Sequence, residues 1–202
     1  MYFKESKRAF TLAEVLIVLV IIGIIAALTV PALINNIRGE EYRTGLKKSI
    51  SVLNQALTQH YTENGQGLNG ILDYVNKGDF DGAIEYFGGI FLNKINGTLN
   101  DTEGSFPGGM LCPDDGTILT TDGMIICTDL NWLEIDATHC DSENKVPCSS
   151  NTQPLFYVDV NGEKGPNELT TNADKPKDQY GILIYDHKAA PFGVAQKVMY
   201  DK

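Results

Sequence analysis

Apolar and polar positions change their pattern sharply along this chain of 202 residues. From Phe10 to Val30 it runs FTLAEVLIVLVIIGIIAALTV, 21 residues with one charge, Glu14. At about 1.5 Å per residue, that run makes a helix of roughly 30 Å, the thickness of a bilayer's hydrocarbon core. Farther on, Leu46, Ile50, Leu53 and Leu57 recur at intervals of four, three and four. That spacing lays an apolar stripe along one helical face, while Lys47, Lys48, Ser51, Asn54 and Gln55 fall largely elsewhere. The pattern predicts a membrane helix that continues into water and packs its stripe on the chain's own sheet. Pro31 removes a hydrogen bond from the ladder and Gly39 loosens it, so kinks are expected near both. Asn64-Gly65 is a C-terminal stop.

Beyond that stop, residues 68–95 read as one or two helices. Ile71, Leu72 and Val75 form one apolar patch, and Ile84, Phe87, Phe91 and Ile95 another at helical spacing. Gly78-Asp79 breaks them, and Asp81 is the expected cap of the second. Residues 96–116, rich in Gly, Asn, Asp and Pro, read as loop. Thr117–Leu130 reads as a hairpin around Asp122-Gly123. Leu155–Val160 and Tyr180–Tyr185 read as strands, residues 136–153 as a polar loop, and the tail around Phe192, Val198, Met199 and Tyr200 as a packed final strand. Trp132 reads as a packing residue. The fold class is therefore α+β: a long N-terminal helix, first membrane-spanning and then amphipathic, packed on a small antiparallel head.

The residues before the apolar run decide what it is for. Lys4, Lys7 and Arg8 stand against Glu5, a net charge of +2 over residues 1–9. An ordinary secretory signal puts its small-residue cleavage site after the apolar core. Here the small residue, Ala9, precedes it, so a cut there leaves the helix on the mature chain, starting at Phe10. By the positive-inside rule the basic leader stays cytoplasmic and residues 31–202 cross the membrane.

Lys7-Arg8-Ala9, Phe10-Thr11-Leu12, Glu14 and Pro31 together resemble the class III signal of type IV prepilins and the pseudopilins of type II secretion. The match covers about 30 residues. It departs from the family at Ala9, where Gly is usual. The resemblance implies three parts: a cleaved leader (1–9), a transmembrane assembly helix (10–31) and an exported pilin-like head (32–202). It implies cleavage between Ala9 and Phe10 by a prepilin peptidase and N-methylation of Phe10. Glu14 would then meet the new amine of a neighbouring subunit during assembly, since an ionised carboxylate in lipid costs at least ~2.5 kcal/mol unless it finds a partner. The other reading of Glu14 is a carboxylate that snorkels from the helix end. The implied partners are other pilin or pseudopilin subunits, with membrane lipid before assembly. The implied location is a single-pass cytoplasmic membrane, with the head periplasmic or extracellular. The chief alternative, a membrane-tethered exported enzyme or ligand-binding domain, leaves the register of Ala9, Phe10, Glu14 and Pro31 unexplained.

Charge and composition narrow the picture. The formal net charge is −10, which disfavours a general nucleic-acid binder, and none is expected as a partner. Four cysteines, Cys112, Cys127, Cys140 and Cys148, fit disulfides in an exported head. Cys140–Cys148 and Cys112–Cys127 are the preferred pairs among three connectivities. The rival, zinc with His139 beside Cys140, lacks any C-x-x-C. The histidines are scattered, no G-x-S-x-G or glycine-rich phosphate loop occurs, and no catalytic constellation is expected.

One stretch carries candidate chemistry in the head, Asp159-Val160-Asn161-Gly162-Glu163-Lys164-Gly165-Pro166-Asn167. Strings of this kind, followed by D-x-Phe or D-x-Tyr as in Asp178-Gln179-Tyr180, are similar to the C-terminal part of many pilin-like proteins. Asp159, Asn161, Glu163, Asn167, Asp174 and Asp178 are hard oxygen donors of the kind calcium takes. The simpler reading is an Asn161-Gly162 turn with polar loop residues.

Overall fold

The computed structural model describes residues 10–75, 77–100, 117–128 and 156–200. Among them the element order is α1 (Leu12–Asn64), α2 (Gly70–Val75), α3 (Phe80–Ile95), β1 (Gly97–Asn100), β2 (Thr117–Thr120) and β3 (Ile125–Thr128). Then follow β4 (Phe156–Asp159), β5 (Gln179–Tyr185), β6 (Lys188–Pro191) and α4 (Val194–Tyr200). The chain divides into two units, Met1–Glu40 and Glu41–Lys202, and α1 begins in the first and ends in the second.

In the first unit, the apolar side chains of α1 stand exposed. The helix is long and apolar enough to cross a membrane. Pro31 lies inside α1, and the helix runs on through it and through Gly39. A proline without an N–H costs the ladder one bond, which neighbouring turns of so long a helix outlast.

In the second unit α1 turns one face inward. Leu46, Ile50, Leu53 and Leu57 are all buried, in one core with Ile71, Phe87, Ile90 and Phe91 from the two following helices. Ile118, Ile126, Phe156, Val158, Ile182 and Ile184 complete that core from the sheet. Burying each such side chain is worth about 1.5–3 kcal/mol. Phe91 meets Phe156 edge-on at 5.1 Å between ring centroids. α1 ends at Asn64, and Gly65 takes the left-handed conformation (φ 72) while donating its N–H to the Tyr61 carbonyl at 2.8 Å. A side chain would be strained there, which is why the Asn-Gly stop reads correctly.

The six strands form one antiparallel sheet in sequence order, β1-β2-β3-β4-β5-β6. The Asp122-Gly123 turn joins β2 and β3 as expected. Three features differ from the sequence reading. β1 lies in the stretch read as loop, where its Gly and Asn are weak strand formers. It forms because β2 offers an edge, pairing Gly97 with Thr120 and Asn100 with Thr117. The tail is a helix rather than a strand: β6 supplies the last strand, and Ala195 and Val198 are buried from α4. Their spacing of three suits a helix, not a strand. The cap of α3 is Asp79 rather than Asp81; its Oδ1 accepts from Gly82 N at 3.0 Å.

The β6 edge is closed by a side chain. Asn54 of α1 donates from Nδ2 to the Ala189 carbonyl at 3.0 Å and accepts from Ala189 N at 2.9 Å. The amide group takes the place of a neighbouring strand at that residue. Cys127 is buried on β3 and is disulfide-bonded. Ala9, Cys112, Trp132, His139, Cys140, Cys148 and the polar loop 136–153 lie outside the described residues.

Candidate functional site

Two places gather the residues with candidate chemistry, one in each unit. The first is the start of α1. Phe10 is 85% exposed, and Thr11 immediately precedes the helix. The Thr11 backbone N–H donates to Glu14 Oε2 at 2.8 Å, and the Thr11 hydroxyl donates to the same oxygen at 2.9 Å. In return Glu14 N donates to Thr11 Oγ1 at 3.3 Å. This is a reciprocal capping box, T-x-x-E, in which each residue satisfies an N–H that the first turn leaves open. Glu14 therefore has its partner within its own chain, at the positive end of its own helix. Thr11 is the residue the sequence reading left without a role, although Thr-Leu-Ala-Glu spells the signature.

The second place lies between β4 and β5. Asp159 ends β4 and Asp178 precedes β5, and both are fully buried. Asp178 accepts from the backbone N–H of Asn167 at 2.8 Å and of Glu168 at 2.9 Å, one on each oxygen. Asp159 accepts from Asn161 N at 3.2 Å and from the Gln179 side-chain amide at 3.0 Å. Burial raises the Asp159 carboxyl to about 6; the Gln179 hydrogen bond opposes the rise, and the neighbouring Asp178 charge adds to it. Asn167 holds a positive φ of 53.

Of the six oxygen donors read from sequence, the structure brings four into this arrangement: Asp159, Asn161, Asn167 and Asp178. The Oδ1 atoms of Asn161 and Asn167 are buried without a hydrogen-bond partner. Glu163 and Asp174 are exposed, and among the described residues no three of His, Cys, Asp and Glu gather where a metal could be held. Of those six, two carboxylates and two amides thus lie together, and Glu163 and Asp174 stand apart in solvent. Those four fit a hard cation in donor type: unpartnered buried amide oxygens are costly as they stand, and carboxylates already bonded to N–H groups keep free lone pairs.

Two comparisons with known proteins bear on these places. Residues 5–30 match the family described as the prokaryotic N-terminal methylation motif. The chain is also similar to the type II secretion system core protein G of Escherichia coli (strain K12), 33% identical over 78 residues, which is 34% of this chain and 51% of that protein. The chain thus spans about half the length of the curated relative it matches. No solved structure matches. The motif and the relative both support the pilin and pseudopilin family.

Proposed function

We propose that this chain is a structural subunit of a type IV pilus or a type II secretion pseudopilus. The apolar half of α1 stores it in the membrane with its leader cytoplasmic and its head periplasmic or extracellular. After a prepilin peptidase removes residues 1–9, subunits leave the lipid and bury their exposed helices against one another in a filament. The observation that carries this reading is the order of parts at the start of α1: basic leader, Ala9, Phe10, the Thr11–Glu14 cap and then a helix whose apolar side chains stand exposed. The methylation-motif match falls on the same residues.

The chemistry follows from that order. Cleavage frees the Phe10 amine, one residue before the Thr11 N–H that Glu14 already holds. In the isolated subunit Glu14 is held by Thr11. In a filament the amine of a neighbouring subunit competes for the same carboxylate, and the pair rewards correct register in a medium that offers few other polar contacts. N-terminal sequencing after coexpression with a prepilin peptidase should find a mature chain beginning at Phe10. A chain beginning after Val30 would overturn the reading. Glu14→Ala should insert and be cleaved normally yet fail to assemble. The same export reading gives Cys112–Cys127 and Cys140–Cys148 as the pairs, checked by mass mapping of the oxidised chain.

A second reading concerns the loop between β4 and β5, where the two unpartnered amide oxygens favour a cation. We propose calcium held by Asp159, Asp178, Asn161 and Asn167, with backbone carbonyls or water completing its shell. Bound calcium would neutralise two buried carboxylates and stabilise the head. Melting with millimolar calcium and with chelator tests this, and an unchanged midpoint leaves the loop an ordinary turn.

A further inference from the structure

Gly45 sits in the middle of α1, with no positive φ to require a glycine, and glycine weakens a helix relative to alanine. Its position explains it. A Cβ at residue 45 would lie 2.7 Å from Val160 Cβ and 2.9 Å from Val160 Cγ2. Those are the stiff root and a branch of a β-branched side chain, which cannot swing aside. Val160 in turn lies inside the loop site. Its sequence neighbours are Asp159 and Asn161, and its own N–H donates to the Asp178 carbonyl at 2.9 Å. Asp178 then holds the Asn167 and Glu168 amides. A displacement of Val160 is therefore passed to both carboxylates.

We propose that Gly45 is a positioning residue for the loop site: its bare backbone seats Val160, so that the docking of α1 and the order of the Asp159–Asp178 loop are one event. The inference rests on the loop's own hydrogen bonds, and it deepens the calcium reading without requiring it.

Hydrogen exchange followed by NMR, on the full chain in detergent micelles with chelator present, tests the coupling. Gly45→Ala should speed exchange at the Asn161, Asn167 and Glu168 amides roughly tenfold relative to Ile182 and Ile184 of β5. Adding Val160→Gly, which removes the Cβ as well as its branches, should return those three amides to within about threefold of wild type, the non-additivity that marks a direct pair. Helix propensity alone predicts the opposite sign for Gly45→Ala, a tighter helix and slower exchange. Unchanged or slowed loop exchange, equal acceleration in β5, or no restoration in the double variant would each overturn the proposal. If Gly45→Ala does not fold, the double variant decides: folded with wild-type loop exchange supports the pair, and unfolded refutes it. Repeating the series with calcium separates the two readings. A wild-type chain that ignores calcium but shows the exchange pattern keeps the coupling and loses the metal.

Discussion

Between Leu12 and Glu40, α1 carries Leu, Ile and Val on every side and leaves them exposed; between Glu41 and Asn64 it confines them to one face and buries them. The backbone is one continuous helix, so the difference lies wholly in the spacing of side chains. A stripe can be covered by a sheet from the same chain. A cylinder apolar all round cannot, because a single neighbour reaches one side only. The first half therefore demands an environment from outside, lipid or other helices, whereas the second is completed by its own head. The carboxylates show a matching contrast. Glu14 is satisfied locally, by a residue three positions away. Asp178 is satisfied by amides 11 and 10 positions away, brought to it by the turn of the loop.

The largest expected effect sets the two halves directly against each other. Leu53→Ala, at a fully buried position, should destabilise the head by about 2–5 kcal/mol. Leu19→Ala, at an exposed position, should leave the head's denaturation midpoint in micelles unchanged. Equal effects would break the contrast between the two halves.

A smaller effect concerns pH. Asp159 holds its proton more tightly folded, at about 6, than its ordinary 3.8. Its contribution to stability is therefore full below 3.8 and is lost as pH rises through about 6. Without a cation, Asp159→Asn should abolish that slope and raise the melting temperature at pH 7 by a few degrees. With calcium present, under the proposed site, the same variant should melt lower than wild type. His60 slopes the other way. Burial chiefly, then the nearby Lys94 charge, lowers it from 6.5, with Glu63 opposing. Its contribution is full above 6.5 and is lost as pH falls through the lowered value, so His60→Gln should flatten the acid limb. A wild-type melting curve flat from pH 4 to 7, with both variants equally flat, would remove both assignments.

The smallest effect is at the helix start. Thr11→Ala should cost about 1 kcal/mol of local helix stability, visible as faster exchange at the Leu12 to Glu14 amides in micelles. The head's midpoint should not move. If it does, the capping box matters to the head as well, and the contrast between the halves weakens.

Much of this was legible in the residues. The uncovered apolar run, the stripe through Leu57, the Asn64-Gly65 stop and the Asp122-Gly123 turn all follow from spacing within one element, and periodicity records what one element buries. Thr11 was legible too, since its partner is Glu14, though its role as a cap went unread. Strand β1 was not, because Gly97 and Asn100 become a strand only when β2 stands beside them. The tail helix was legible in the spacing of three between Ala195 and Val198, against the strand expected there.

By itself the sequence determined that one half of α1 needs a foreign environment and the other does not, because side-chain spacing alone sets how much of a helix one neighbour can cover. It also carries the Thr-x-x-Glu signature, Thr11 and Glu14, of the cap that starts the helix. Only the tertiary structure decided that Asp159 and Asp178 are the buried pair while Glu163 and Asp174 stay in water. It alone placed Asn54 against Ala189, 135 residues away, and bare Gly45 against Val160. Contacts between elements distant in the chain depend on register, sheet order and the room each backbone leaves, and none of these is written in the period of a single segment.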